Sequence, residues 1–159
     1  MSAEVIGIDH VYFTVSDLEC SQRFYDRVMR VLDFRKVARP LAGGDMHVHY
    51  FNRLMQLTLR PAHSGAQAHD SYSPGLHHFC FRVADRDAVD AVARGLRDAE
   101  IDASDPRLYP EYHDDYYATF FEDPDGMRLE VVCEMAVRRA ALEHWDDFPT
   151  IDPPGRSQE

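Results

Sequence analysis

The chain of 159 residues contains 28 acidic and 17 basic residues, which gives a formal net charge of −11 at pH 7. Nucleic acid and anionic membranes repel such a charge, so we expect neither as a partner. Hydrophobic residues make up 45% and charged residues 28%, the usage of a globular protein and not of a disordered one. The sequence shows no apolar run of about 18 residues and no signal peptide, so we expect one cytoplasmic domain.

A faint internal duplication organises the chain. The segment from His10 to Asp17, HVYFTVSD, is answered by the segment from His78 to Asp85, HFCFRVAD. Apolar and polar residues alternate in both copies, which predicts a β-strand in each. Apolar residues recur at helical spacing after each aspartate, so a helix should follow, with the aspartate as its N-cap. A repeat of this kind decides the architecture.

Short strand-like pieces complete each copy. They run from Phe34 to Ala38, Met46 to Phe51 and Leu54 to Leu59, and again from Arg107 to Tyr109, Tyr116 to Glu122 and Met127 to Cys133. The tetrapeptide Asp123-Pro124-Asp125-Gly126 predicts a hairpin between the last two. The pattern predicts an α+β fold of two βαβββ modules, at about residues 5–60 and 75–134, joined by a linker near residues 60–74.

The C-terminal part differs from both copies. Residues 135–145 are rich in Ala, Leu and Arg and predict a short helix. We expect Met135, Leu142 and Trp145 to pack against a sheet or a partner subunit. The tail from Asp146 is rich in proline and polar residues, which predicts an extended segment. Residues 1–134 are therefore interpreted as one domain, followed by a helix and tail over residues 135–159.

The strand period of two sorts the polar side chains onto one face. Apolar residues at alternate positions must cover the helices, which leaves the opposite face to a more polar set. Its members are His10, Tyr12, Thr14, Gln56, Thr58, His78, Cys80, Arg82, Arg128, Glu130 and Val132. His47 and His49 also share one face of their strand, where they could line this surface or lie in solvent.

These segments resemble the vicinal oxygen chelate superfamily, which includes glyoxalase I, fosfomycin and bleomycin resistance proteins and extradiol dioxygenases. The resemblance is carried by Asp9-His10-Val11 through Phe24-Tyr25, by Gly75-Leu76-His77-His78 with Asp85, and most specifically by FEDPDGMRLE from Phe121 to Glu130. In that family two βαβββ modules curl into a cup that binds a divalent metal. The resemblance therefore implies a cupped mixed sheet with helices on its outer face.

The same resemblance places His10, His78 and Glu130 on metal-ligand positions. Gln56 falls where glyoxalase I carries a fourth ligand, and its alternative role is to hydrogen-bond a ligand. Two imidazoles and one carboxylate suit one divalent ion of Fe, Mn, Ni, Zn or Co and leave coordination positions open. An oxygen of a substrate bound there would be polarised, with Glu130 as a candidate base.

Several reactions on a small substrate with adjacent oxygens suit this ligand set. We favour a glyoxalase-type lyase or isomerase over an extradiol dioxygenase, because Phe120 stands where the dioxygenases are expected to carry a tyrosine. Thr14 and Arg60 replace residues that bind glutathione in glyoxalase I. Thiol or water transfer in antibiotic resistance, and non-catalytic binding of a small molecule, are further alternatives.

Other residues are candidates for contact with the substrate. The stretch from Tyr109 to Tyr117 could form a lip over the cup, with His113 and Tyr117 as acid, base or orienting groups, or it could be an acidic surface loop. Arg82 could anchor a carboxylate or phosphonate, or be a surface charge. Tyr12 shares the face of His10 and is a further candidate.

The family resemblance also implies how the subunits are arranged. Glyoxalase and fosfomycin enzymes pair module one of one subunit with module two of its mate. We therefore expect a symmetric homodimer in which each site takes His10 from one chain and His78 and Glu130 from the other. The alternative is a monomer whose final helix covers the sheet edge.

Overall fold

The computed structural model of the protein describes residues 5–40, 44–63 and 69–147. Within these ranges the fold comprises two four-stranded sheets and three α-helices. The elements are β1 (His10–Val15), α1 (Leu18–Val31), β2 (Arg35–Pro40), β3 (Met46–Phe51), β4 (Gln56–Pro61), β5 (His78–Val83), α2 (Arg86–Asp98), β6 (Arg107–Leu108), β7 (Tyr117–Glu122), β8 (Arg128–Cys133) and α3 (Ala136–Glu143). A short 3-10 turn, Trp145–Asp147, follows.

The two sheets have the same topology. Their strand orders are β1-β4-β3-β2 and β5-β8-β7-β6. The first strand of each module pairs in parallel with the last, and the remaining pairs are antiparallel. This confirms the predicted α+β architecture of two βαβββ modules.

One strand begins later than predicted. The sequence pattern starts the fourth strand at Leu54, whereas β4 starts at Gln56. The reason is a side-chain turn, in which the backbone N–H groups of Leu54 and Met55 both donate to the Asn52 amide oxygen at 2.8 Å. That turn holds Leu54 outside the sheet, where its side chain is exposed.

Aspartates begin the first two helices, as predicted. The Asp17 carboxylate accepts from the Cys20 N–H at 2.9 Å, and the Asp85 carboxylate accepts from the Ala88 N–H at 2.8 Å. Both helices place their apolar faces on the sheets, with buried residues that include Phe24, Tyr25, Val28 and Met29 on α1 and Val89, Val92, Ala93 and Leu96 on α2. The polar faces of the strands therefore point away from the helices.

The hairpin turn between β7 and β8 joins the two modules. Asp123 is 7% exposed, and its carboxylate accepts from the backbone N–H groups of Asp125 and Met127 and from the Tyr25 hydroxyl of α1. Burial raises the pKa of Asp123 despite these donors. Asp125 in turn accepts hydrogen bonds from the backbone and the hydroxyl of Ser16. The turn before Glu130 is thus fixed to module one.

The final helix is exposed in the single chain. Leu142 is 68% exposed and Trp145 is 72% exposed, and α3 has no buried residue among those described. These two side chains therefore do not pack against a sheet of the same chain, and the predicted alternative, contact with a partner subunit, stays a prediction. The predicted extended tail starts at Asp146, whereas Asp146 and Asp147 belong to the 3-10 turn. The rest of that tail, residues 148–159, and part of the predicted linker, residues 64–68, lie outside the described residues. No helix in the described ranges is long and apolar enough to cross a membrane.

The buried turn yields a stability prediction. We expect Asp123→Ala to lower the free energy of unfolding by about 3 kcal/mol, because it leaves buried hydrogen-bond donors, the Tyr25 hydroxyl among them, without an acceptor. Asp123→Asn should lose less, since its amide oxygen can still accept from the two backbone groups. Urea denaturation followed by circular dichroism measures both. Asp102→Ala, at an exposed position, is the control, and an Asp123→Ala midpoint equal to that of the control would contradict the role of the turn.

Candidate metal centre and its surroundings

Each sheet has an inner face, defined here as the face that points away from α1 and α2. In sheet two, Glu130 lies in the centre of this face, because β8 is flanked by β5 and β7. The register places Cys80 on one side of Glu130 and Phe120 on the other. The loop before β7 covers this part of the face, and Glu130 is only 1% exposed. A carboxylate at such a position needs partners to compensate for its lost hydration.

The Tyr116 hydroxyl and the His78 imidazole both lie beside the Glu130 carboxylate. The Tyr116 hydroxyl donates a short hydrogen bond to Oε1, and Nε2 of His78 lies 3.4 Å from Oε2. Burial and the negative charge of Glu130 raise the pKa of the Tyr116 phenol and of the neighbouring Cys80 thiol. Both groups are therefore neutral at ordinary pH, and the phenol remains a proton donor to the carboxylate. Oε2 is left facing the imidazole.

The two repeat-related histidines are oriented in the same way. Nδ1 of His10 lies 2.7 Å from the Asp9 carboxylate, and Nδ1 of His78 lies 2.8 Å from Nδ1 of His77. In both residues the contact engages Nδ1 and leaves Nε2 directed elsewhere. A partner on one ring nitrogen is the usual way in which proteins orient a metal-binding histidine. The geometry therefore suits metal binding through Nε2 of His10 and of His78.

Gln56 lies beside His10, because the register of the parallel β1–β4 pair aligns the two residues. Its amide nitrogen donates to the Thr58 hydroxyl at 2.6 Å and lies 3.1 Å from Nδ1 of His49. These contacts orient the amide and leave its carbonyl oxygen as the atom that could bind a metal. They also fit the alternative role of Gln56 as a hydrogen-bond partner.

One chain brings the candidate ligands together only in pairs. His10 and Gln56 lie on sheet one, whereas His78 and Glu130 lie on sheet two. Within the ranges that the structure describes, no three His, Cys, Asp or Glu side chains are placed to hold a metal ion together. The predicted set of His10, His78 and Glu130 is therefore not assembled within the described part of a single chain.

Comparison with known proteins identifies the family. The sequence profile of the Glyoxalase/Bleomycin resistance protein/Dioxygenase superfamily matches residues 7–131. The chain belongs to this superfamily. An uncharacterized protein of Bacillus subtilis (strain 168), YqjT, is 27% identical over 133 residues, which cover 77% of this chain and 95% of that protein.

Solved structures of the superfamily share the fold. A glyoxylase/bleomycin resistance protein/dioxygenase domain from Frankia sp. EAN1pec superimposes with a TM-score of 0.68 at 24% identity and covers 83% of this chain and 100% of its own. A lactoylglutathione lyase from Agrobacterium tumefaciens gives a TM-score of 0.55 at 22% identity, over 84% of this chain and 96% of its own. At these identities the similarity establishes the fold alone.

Tyr117 does not share the face of Glu130. Its hydroxyl donates to the Asp90 carboxylate of α2 at 2.8 Å, so it lies on the helix side of β7. The expectation that Tyr117 belongs to a lip over the cup is wrong by one residue, because Tyr116 makes the contact with Glu130. Strand parity could have found this, since Tyr116 has the parity of Phe120, which pairs with Glu130.

Two further candidates already have partners in the chain. Nδ1 of His113 lies 2.5 Å from the Asp115 carboxylate, whose other oxygen accepts from the N–H of Ala136 at the start of α3. Arg82 donates to the Glu134 carboxylate at 3.0 Å. The contacts of His113 and Asp115 connect the loop to the final helix. The Glu134 carboxylate balances the charge of Arg82. A substrate would therefore have to compete with these partners to bind either residue.

The inner face of sheet one carries a cluster of one tyrosine and several histidine rings. Tyr12 is 43% exposed, and its ring contacts those of His10 and His47. His47 and His49 are 7% and 2% exposed, so neither is solvated as one alternative proposed. Both line the inner face of sheet one, on the same side as His10 and Gln56.

Proposed function

We propose that this protein is a divalent-metal-dependent enzyme of glyoxalase type, a lyase or isomerase that acts on a small substrate with adjacent oxygens. The observation that carries the proposal is the buried Glu130 carboxylate, which holds Oε2 beside Nε2 of His78. A carboxylate buried without a lysine or arginine partner is costly, and a bound cation would offset that cost. Membership of the superfamily supports the same assignment.

The donor atoms suit a divalent ion. His10 and His78 each have Nδ1 engaged by a neighbour, which leaves two imidazole nitrogens and one carboxylate oxygen as ligands of intermediate hardness. The orientation of the Gln56 amide adds a carbonyl oxygen. When bound, the ion would polarise a substrate oxygen and stabilise the negative charge that develops on it.

The chain's own residues supply the proton chemistry in this proposal. Oε2 of Glu130 faces the site, and on release from the ion it would be the candidate base that removes a proton from the carbon next to the polarised oxygen. Tyr116 holds Oε1 through its hydroxyl and so keeps the carboxylate in one orientation. Because the loop before β7 covers Glu130, bulk water is excluded from this side of the carboxylate.

We further propose that the site is shared between two subunits of a homodimer. In each site one chain would provide His10 and Gln56, and its mate would provide His78 and Glu130. The separation of the two ligand pairs on different sheets supports this arrangement, because the described part of one chain does not assemble three ligands. The exposed residues of α3 offer additional apolar surface for subunit contact.

An extradiol dioxygenase is the second candidate, since two histidines and one carboxylate also suit Fe(II). Phe120 makes it the less favoured one. Phe120 pairs with Glu130 across β7 and β8, so a phenyl ring stands where the dioxygenases are expected to carry a phenol. Transferases of antibiotic resistance and non-catalytic binding proteins are further alternatives in the same superfamily.

Metal content tests the core of the proposal. Protein purified without chelator is expected to contain about one equivalent of a divalent transition metal per chain, and Glu130→Ala should reduce it at least about tenfold. Glu134→Ala is the matched control, because Glu134 lies beyond the same strand but binds Arg82. Elemental analysis makes the measurement. Less than about a tenth of an equivalent in the wild type, unaltered by Glu130→Ala, rejects the site.

Subunit complementation tests the shared site. His10→Ala and Glu130→Ala homodimers should each lack metal and activity. After the two are mixed, unfolded and refolded, heterodimers should contain one intact site and one doubly damaged site, which restores about a quarter of wild-type sites under random pairing. Metal content and turnover measure the recovery. If subunit exchange is proven by mass spectrometry and nothing is recovered, the sharing of ligands is disproved.

Substrate panels decide between the two enzyme classes. With the metal restored, we expect the protein to convert hemithioacetals or a related class with adjacent oxygens, and we expect no oxygen uptake with catechols. Ultraviolet absorbance follows the first reaction and an oxygen electrode the second. Oxygen consumption by the Fe(II)-loaded protein across catechols, absent in Glu130→Ala, would reverse the ranking.

A further inference from the structure

The strand β2 forms an open edge of sheet one. Among the described residues β2 pairs only with β3, so one row of its backbone N–H and C=O groups faces away from the sheet. The residues from Arg35 to Ala38 are all exposed, and Val37 keeps 49% of its accessible surface. An open strand edge is a template on which another extended chain can pair.

Basic residues are concentrated around this edge. Residues 23–53 contain seven of the 17 basic residues of the chain but only three of its 28 acidic residues. The segment therefore has a formal net charge of +4, although the whole chain has a net charge of −11. It supplies the second half of α1 and the paired strands β2 and β3. The fold thus gathers positive charge of an acidic protein at one edge of the sheet.

Two aspartates lie close to β2 and offset its charge only in part. Asp26 binds Nζ of Lys36 at 2.6 Å and accepts from the Tyr50 hydroxyl at 2.9 Å. Asp33 lies 3.5 Å from Arg35, but both side chains are largely exposed, and exposed ion pairs of this kind contribute little. The charge of Lys36 is therefore balanced, whereas that of Arg35 remains available to an acidic ligand.

A depression with an apolar lining flanks β2 on each face of the sheet. The inner-face depression, of about 580 Å³, contains a cross-strand pair and the tip of the β3–β4 connection, with Arg35, Phe51, Arg53 and Leu54 in its wall. The depression toward α1, of about 290 Å³, is lined by Met29, Arg30, Phe34 and Lys36. Arg30 and Arg53 form no ion pair within the part of the chain that the structure describes. Each depression therefore combines apolar surface with an available guanidinium group.

We propose that the β2 edge binds an extended acidic segment of a partner protein by strand addition. Main-chain groups of that segment would pair with the open backbone groups of β2, and its alternate side chains would enter the two depressions. Its carboxylates would contact Arg35 and Arg53 on the inner face and Arg30 on the other. A second copy of β2 is a poor occupant, because Arg35 and Lys36 would face the same charges on the other copy.

The β2 edge is separate from the candidate metal ligands. The strands β3 and β4 lie between β2 and β1, which puts the edge about 14 Å from the strand of His10 at the usual strand spacing. A bound segment would therefore extend sheet one without covering His10. Nucleic acid is also polyanionic, but it has no peptide main chain to pair with the strand. The inference thus stands whether or not the protein binds a metal.

Peptide binding to the full-length chain tests the proposal. The probe is a short peptide of alternating Glu and Val residues, and the same peptide with Lys in place of Glu is its control. We expect the acidic peptide to bind with a Kd of about 10–300 μM in fluorescence anisotropy, and the basic control to show no saturation. Amide hydrogen exchange should slow at the β2 N–H groups that face away from β3.

Backbone methylation of the probe tests strand addition itself. In an added strand only every second N–H of the peptide faces β2. Methylation of one alternate set of amide nitrogens should therefore weaken binding at least about tenfold, whereas methylation of the other set should leave it nearly unchanged. Both peptides keep the same charges and side chains. Equal effects of the two sets, or unchanged hydrogen exchange in β2, would overturn strand addition.

Matched variants locate the surface. Arg35→Glu and Arg53→Glu should each weaken binding of the acidic peptide at least about fivefold, because each replaces an attraction by a repulsion. Arg94→Glu makes the same charge change at an exposed position of α2 and should leave the Kd within about twofold. Circular dichroism checks that each variant is folded. Equal weakening by all three variants, or tighter binding of a DNA duplex than of the peptide, contradicts the proposal. Metal content is measured separately, so failure here leaves the proposed metal centre standing.

Discussion

The parallel pairing of the first and last strands of each module is the constraint on which the rest of the structure depends. A parallel pair needs a long crossover, and in each module this is supplied by a helix and two antiparallel strands. The pairing puts His10 next to Gln56 and Cys80 next to Glu130. Residues far apart in the sequence thereby become neighbours on the inner face, and both candidate ligand pairs follow from the same topology.

Burial gives these neighbours their chemical character. Glu130 would be an ordinary surface carboxylate at a sheet edge, but in a central strand beneath the loop it is almost removed from water. The Tyr116 hydroxyl and the His78 imidazole then contact the carboxylate in place of water. On sheet one, His47 and His49 are likewise almost removed from water.

Much of this arrangement could be predicted from the sequence, because it depends on local rules. Strand alternation fixed the inner-face residues, Asp17 and Asp85 were recognised as caps, and Asp123 to Gly126 as a hairpin. The errors have physical causes. A parity error of one residue exchanged Tyr117 for Tyr116, and the exposure of α3 depends on tertiary contacts that its amphipathic pattern does not encode. The near-complete burial of His47 could not be predicted from strand alternation, because it depends on how the folded chain covers the inner face.

The turn from Asp123 to Gly126 has a consequence for how the repeat behaves as a whole. It extends from module two into module one, where its carboxylates accept hydrogen bonds from Tyr25 and Ser16. Neither module can therefore unfold without leaving polar groups of the other module without their hydrogen-bond partners. A duplicated sequence would suggest two folding units. Because these hydrogen bonds connect the modules, we expect both to unfold in a single cooperative transition. The two modules thus resemble each other in sequence, but each depends on the other for its stability.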